Sequence, residues 1–175
     1  MNRLRILAVS AVALATAAMA QSAAAWPGNP SGTQDYLVPY IGAYRIFQKE
    51  GAGQLGVEYR FHQWDFGVRP TFGANVDNHG DTYAYGGINW EIPLMQSQLL
   101  LIPNFMAGYY HHSGGKDLGG PVEFRSGIEL DYQLPNTQRI GVAFNHISNA
   151  SIYSHNPGAQ TLLVNYSIPV GVLAW

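Results

Sequence analysis

The chain has no cysteine, and charged residues fill only 11% of its 175 positions. The first absence removes a disulfide scaffold, a thiol-ligated metal site and a cysteine nucleophile. The second puts the chain at less than half the roughly 25% charge of a typical soluble domain. Positive charge is not in excess either. The formal net charge is −2, so the basic footprint that nucleic acid requires is missing. After the N-terminal stretch there is no long apolar run, and a bilayer-spanning helix needs ~20 such residues. What is present is 47% hydrophobic and 13% aromatic, with 20 Gly and 10 Pro. That composition is not disordered, which would be charge-rich and aromatic-poor. The length allows one domain and a leader.

Met1-Asn2-Arg3-Leu4-Arg5 is followed by an apolar run from Ile6 to Ala20, and small residues close it at Ala18-Met19-Ala20 and Ala23-Ala24-Ala25. A basic start, a short apolar stretch and an Ala-x-Ala exit predict a signal peptide over residues 1–25. The mature chain is then 26–175, and losing Arg3 and Arg5 takes its charge from −2 to −4. An exported chain without cysteine fits a bacterial envelope, because small exported domains elsewhere are usually disulfide-stapled.

Along the mature chain the hydrophobic period is two. Leu55, Val57, Tyr59 and Phe61 oppose Gln54, Gly56, Glu58 and Arg60. Trp64, Phe66, Val68, Phe72 and Ala74 oppose Asp65, Gly67, Arg69, Thr71 and Asn75; Ile140, Val142 and Phe144 oppose Arg139, Gly141, Ala143 and Asn145. Such alternation means strands with one apolar and one polar face. Eight are predicted, over 35–47, 53–61, 64–75, 81–92, 98–110, 121–132, 139–148 and 160–170. Segments 82–92 and 98–110 are less regular, with apolar residues on both faces. Longer polar loops (75–80, 111–120, 149–159) alternate with tighter turns (62–63, 93–97, 134–138), although the first connection, 48–52, is also short. The expected fold is therefore all-β, an eight-stranded antiparallel transmembrane β-barrel.

A soluble lipid-carrying barrel would reverse the faces, turning apolar residues inward and charges outward. The charge shortage decides for the membrane form, whose outer band is apolar and whose interior is polar. Glu58, Arg60, Asp65, Arg69, Glu123, Arg125, Glu129 and Asp131 are then an interior network, and Tyr and Trp supply interfacial girdles. The terminal Trp175 suits such a barrel, with Pro169 and Gly171 disturbing the alternation before it.

Chemistry is concentrated at Phe144-Asn145-His146-Ile147-Ser148-Asn149-Ala150. Continuing the outward face of Ile140, Val142 and Phe144 places His146 and Ser148 toward lipid. Gln160 joins them from the returning strand, on the side of Leu162, Val164 and Tyr166. A titratable group facing lipid is costly and asks for a functional reason. An imidazole beside a hydroxyl is the base–nucleophile pair of acyl transfer, although rim histidines and serines often only meet water.

His146-x-Ser148-Asn149-Ala150, then Asn156-Pro157-Gly158 and a final apolar strand, resembles the lipid A 3-O-deacylase family, also known as acyloxyacyl hydrolases. The motif covers residues 144–166, and the leader and barrel spacing match over the whole chain. The resemblance implies a carboxylic ester hydrolase in the Gram-negative outer membrane, removing the 3-position acyl chain of lipid A. By resemblance, Ser148 is the nucleophile and His146 the general base. The oxyanion falls to the amide after Ser148 with help from Asn149, so Asn149 and Ala150 are its candidate residues. Lipid A and membrane lipids are the implied partners, no cofactor or metal is called for, and a homodimer is left open. Two positions depart from the family pattern. Gln160 stands where the family carries an acid, usually Glu, and Ser151 stands where it often carries Gly. A catalytically weak or inactive barrel with a structural or adhesive role is the alternative.

Other polar clusters carry less. His111-His112 with Asp117 could approach a cation, but adjacent histidines point apart on an extended chain. Asp77, His79 and Asp81 lack the spacing of a calcium loop and predict a polar turn. His62 falls in a turn.

Overall fold

The computed structural model describes residues 30–48, 51–94 and 98–171. The expected leader and Trp175 lie outside them. A short 3-10 turn, Pro30–Thr33, leads into β1 (Asp35–Tyr44), β2 (Ala52–Arg60), β3 (Val68–Asp77) and β4 (Thr82–Trp90), with Ile92–Pro93 continuing the line of β4. β5 (Leu99–His111), β6 (Val122–Gln133), β7 (Arg139–Ser148) and β8 (Ala159–Val170) follow. Each strand pairs antiparallel with the next, β4 pairs β5, and β8 returns to β1, so the sheet closes into a ring. Closure leaves no edge strand exposed to lipid, where an unpaired backbone group has no water to turn to.

The two faces differ as the alternation predicts. Ile41, Leu55, Phe72, Ile128, Val142 and Val164 point out and are exposed, while the strand charges point in. Near the end carrying the chain termini, Glu91 accepts hydrogen bonds from both Arg69 (Nε to Oε1, 2.7 Å) and Arg139 (Nη2 to Oε2, 3.1 Å), and the Tyr36 ring lies under both guanidiniums. One layer higher, Arg60 holds Glu129 at 2.6 and 3.0 Å, and Glu58 bridges Arg60 and Arg125. Tyr85 donates to Glu58 and stacks under Arg125. A buried charge is tolerable only when paired in this way. Voids among these layers include ones of ≈ 20 and ≈ 10 Å³, room for an isolated water. The interior is a packed polar core.

Four expectations are corrected. The third strand starts at Val68, not at residue 64. Phe66 (φ 63°) and Gly67 (φ 81°) take left-handed backbone and wind 65–67 into a 3-10 turn, which no strand can accommodate. Asp65 therefore sits exposed in that turn and is not part of the interior network, whereas Glu91 is. The loop expected at 75–80 is a tight turn after Asp77, closed by Asp77 N–H to Asp81 O at 3.0 Å. Finally, Tyr36, Tyr40, Tyr44, Tyr83, Tyr85 and Tyr110 are interior residues, and the outer aromatics at the terminus-bearing end include Trp64, Phe66, Tyr132 and Tyr166.

Candidate active site

The opposite end of the barrel carries connections 45–51, 78–81, 112–121 and 149–158. Three of the predicted site residues come together there on the outer wall. β7 pairs with β8 so that His146 faces Gln160, and β6 sets Ser126 on its other flank. Gln160 Nε2 lies 3.2 Å from His146 Nδ1. Ser148 is two residues further along the same face, beside Phe124, and is half-buried like His146 and Gln160. Its hydroxyl makes no hydrogen bond among the described residues. The row below the histidine is wholly apolar, running Ile128, Phe144, Leu162.

A glycine sets the pose of the imidazole. The ladder ends where Ile147 pairs with Ala159, and Gly158 immediately precedes that pair. A methyl on Gly158 would stand 2.8 Å from His146 Cε1 and 3.4 Å from Nε2. The ring therefore lies against the glycine, with Cε1 and Nε2 as its nearest side-chain atoms. Gly158 also has φ 58°, a conformation that costs other residues ~1–2 kcal/mol. Sequence reasoning noted Asn156-Pro157-Gly158 only as a motif. The signal it missed is that the last residue of a loop meets a bulky ring across the hairpin.

The segment after Ser148 is built as a turn. Ala150 (φ 53°) and Ser151 (φ 63°) are both left-handed, and Ile152 N–H closes the turn on Asn149 O at 3.1 Å. Glycine would take the second of these positions without strain; here Asn149 Oδ1 accepts the Ser151 N–H at 3.0 Å and holds it. Asn149 itself is fully buried. Its Nδ2 donates to Leu118 O and His155 O, both at 2.8 Å, and its N–H donates to Asn156 Oδ1 at 3.1 Å. Asn149 thus ties two loops together with every donor it has. The Ala150 N–H has no acceptor among the described residues.

The other polar clusters fall elsewhere. Asp81 organises the neighbouring loop. Its carboxylate accepts the N–H groups of Ser113, Gly114, Gly115 and Lys116 and the Tyr110 hydroxyl, and His112 Nδ1 approaches to 3.4 Å. Burial alone would raise the Asp81 pKa, but these hydrogen bonds outweigh it and hold the group at about 2. Asp117 caps Gly119 N–H, and His111 is exposed on the strand end. His62, at the far end, lies 3.2 Å from Asp35.

Comparison with solved structures gives the outer membrane enzyme PagL at a TM-score of 0.64 and 18% identity, covering 78% of this chain and 99% of that one. Neisserial surface protein A follows at 0.57 and 8%, covering 80% and 98%. At these identities the likeness is one of fold. No curated protein sequence matches. The family model for lipid A 3-O-deacylase (PagL) matches residues 49–169. An apolar outer wall, a charged and filled interior and this match describe an outer-membrane β-barrel, and the chain belongs to the lipid A 3-O-deacylase family.

Proposed function

We propose that the protein hydrolyses the ester-linked 3-hydroxyacyl chain at the 3-position of lipid A, with Ser148 as nucleophile and His146 as general base. The observation that carries this reading is the imidazole on the lipid-facing wall. It is hydrogen-bonded to Gln160 through Nδ1 and lies against Gly158, on the same outer face as Ser148 two residues on. Nε2 takes the Ser148 proton as Oγ attacks the ester carbonyl, and it returns that proton to the departing sugar oxygen. Water then attacks the acyl-enzyme by the same route. The unengaged Ala150 N–H is the donor for the oxyanion, because Asn149 is committed to the loops.

Gln160 must present the correct tautomer. With Nε2 toward the ring, the amide donates to Nδ1 and leaves the proton on Nε2, where it blocks base action. Half a turn of the amide puts Oε1 in the same place, accepts Nδ1–H and frees Nε2. The working enzyme uses that second orientation. Expression in a host with intact lipid A should remove one 3-hydroxyacyl chain, read by mass spectrometry of lipid A, and Ser148→Ala should abolish the loss. Identical spectra for wild type and Ser148→Ala would end this reading.

Gln160 also favours the second reading, a barrel of this family with weak or no turnover and a structural or adhesive role. A neutral amide does not stabilise the imidazolium as a carboxylate does, and in a serine-protease triad that exchange costs ~10⁴-fold. Gln160→Glu separates the two. A gain of tenfold or more marks the amide as a defect, while a loss shows a site rebuilt around it.

A further inference from the structure

The first loop is fastened to the site. Arg45 N–H donates to Gln160 O at 2.7 Å, and Ile46 N–H reaches the same oxygen at 3.4 Å. Gln48 Nε2 donates to Gly158 O at 3.1 Å, while its Oε1 accepts Arg45 Nε, also at 3.1 Å. Both anchor points, Gln160 on β8 and Gly158 just before it, belong to residues against His146. So held, the loop sets Phe47 against the outer wall, its ring 6.2 Å from that of Phe144 at 50°. Phe47 is still 73% exposed. It is a ring standing out from the wall beside Phe144, on a loop whose backbone is tied to Gln160.

Its position matters for an ester bound at Ser148. The sugar oxygen stays at headgroup level, so the acyl chain must run along β7 toward the bilayer core, past His146 to Phe144. Four residues of strand cover about 13 Å, the length of an extended chain of about ten carbons. A chain of that length reaches the Phe47–Phe144 pair, and one of six carbons stops short of it.

We propose that Phe47, braced on Phe144, is a specificity-determining residue that seats the acyl chain being cleaved and selects for chains of about ten carbons or more. This rests on the hydrolase reading above. Lipid tails solvate an alkyl chain as well as an aromatic ring does, so the ring contributes chiefly by holding the chain along the wall while the ester stays over Ser148.

The test uses the refolded full barrel in detergent and 3-hydroxyacyl methyl esters of six to fourteen carbons. Phe47→Ala should lower kcat/KM about tenfold for twelve and fourteen carbons and leave six carbons unchanged. Phe47→Leu should restore part of the loss. A uniform loss across all lengths, or none at any length, would overturn the proposal. Binding is measured in parallel on Ser148→Ala protein, with and without Phe47→Ala, using the six- and twelve-carbon esters. Absent turnover in wild type, or turnover retained in Ser148→Ala, would overturn the hydrolase reading. The binding arm still decides the seat: weakening confined to the twelve-carbon ester upholds it, and equal or no weakening removes it. Heat-modifiable mobility on gels confirms that each variant is folded.

Discussion

Glu91 and His146 are both polar groups cut off from bulk water, yet the barrel treats them in opposite ways. Glu91 is clasped by two arginines that share a tyrosine face, within a layer where charge answers charge. His146 has one side-chain hydrogen bond, to a neutral amide, with Ser126 on its other flank and an apolar row beneath it. Much of the interior charge is spent on itself, around Glu91 and along Glu58, Arg60, Glu129 and Arg125. Glu123 and Asp131 keep carboxylate oxygens without hydrogen-bond partners among the described residues but are sealed inside. The outer wall leaves a hydroxyl, an imidazole nitrogen and a backbone N–H without internal partners, and unspent groups are those available to a substrate.

Breaking the interior should cost the most stability and leave the chemistry intact. Glu91→Ala strands Arg69 and Arg139 as buried charges, with an expected loss of ~3–5 kcal/mol. Urea unfolding of the barrel in detergent micelles measures it, and the remaining folded fraction should keep its specific activity. Breaking the wall should do the reverse. Gly158→Ala places a methyl 2.8 Å from His146 Cε1 and should lower kcat by ~10–100-fold, since small misplacements of a catalytic group are expensive. KM should hold steady, and stability should fall by only ~1–2 kcal/mol from the left-handed backbone. The smallest effect belongs to the loop around Asp81. Its folded pKa, about 2, is below the unfolded value of ~3.9, so its contribution is present above pH ~3.9 and fades as pH falls through 2. Asp81→Asn should remove ~1–2 kcal/mol of loop protection at neutral pH, seen as faster proteolysis within 112–121. The difference from wild type should vanish near pH 2.

How far the sequence could be read depended on how one-sided each segment is. Strand β7 is predicted to the residue, because Ile140, Val142 and Phe144 are unambiguous and fix the parity of His146 and Ser148. Gln160 follows by the same rule. Trp64 and Phe66 mimic a strand because alternation records side chains and is blind to a positive φ at Phe66 and Gly67. The tyrosines mislead for another reason: a phenol serves equally under an arginine or at a membrane surface, and six of them are inside. Glu91 sits at the end of a segment that is apolar on both faces, so no pattern assigned it a side. The engagement of Asn149 by Leu118 and His155, and the seat at Gly158, depend on contacts between loops or across a hairpin. Spacing along the chain carries no record of these.

The hydrogen bonds from Arg45 and Gln48 to β8 join the first strand's exit to the last strand's entry. They form part of the seam where the ring shuts. The hairpin of β7 and β8 is local in sequence and can pair before that moment, but Gln160 is tied down on its far side only once β1 arrives. Without that closure His146 and Gln160 would face each other across the hairpin with Gln160 O lacking the Arg45 N–H. The order of the wall around His146 and Gln160 thus depends on a contact between the two ends of the chain, made where the first and last strands meet.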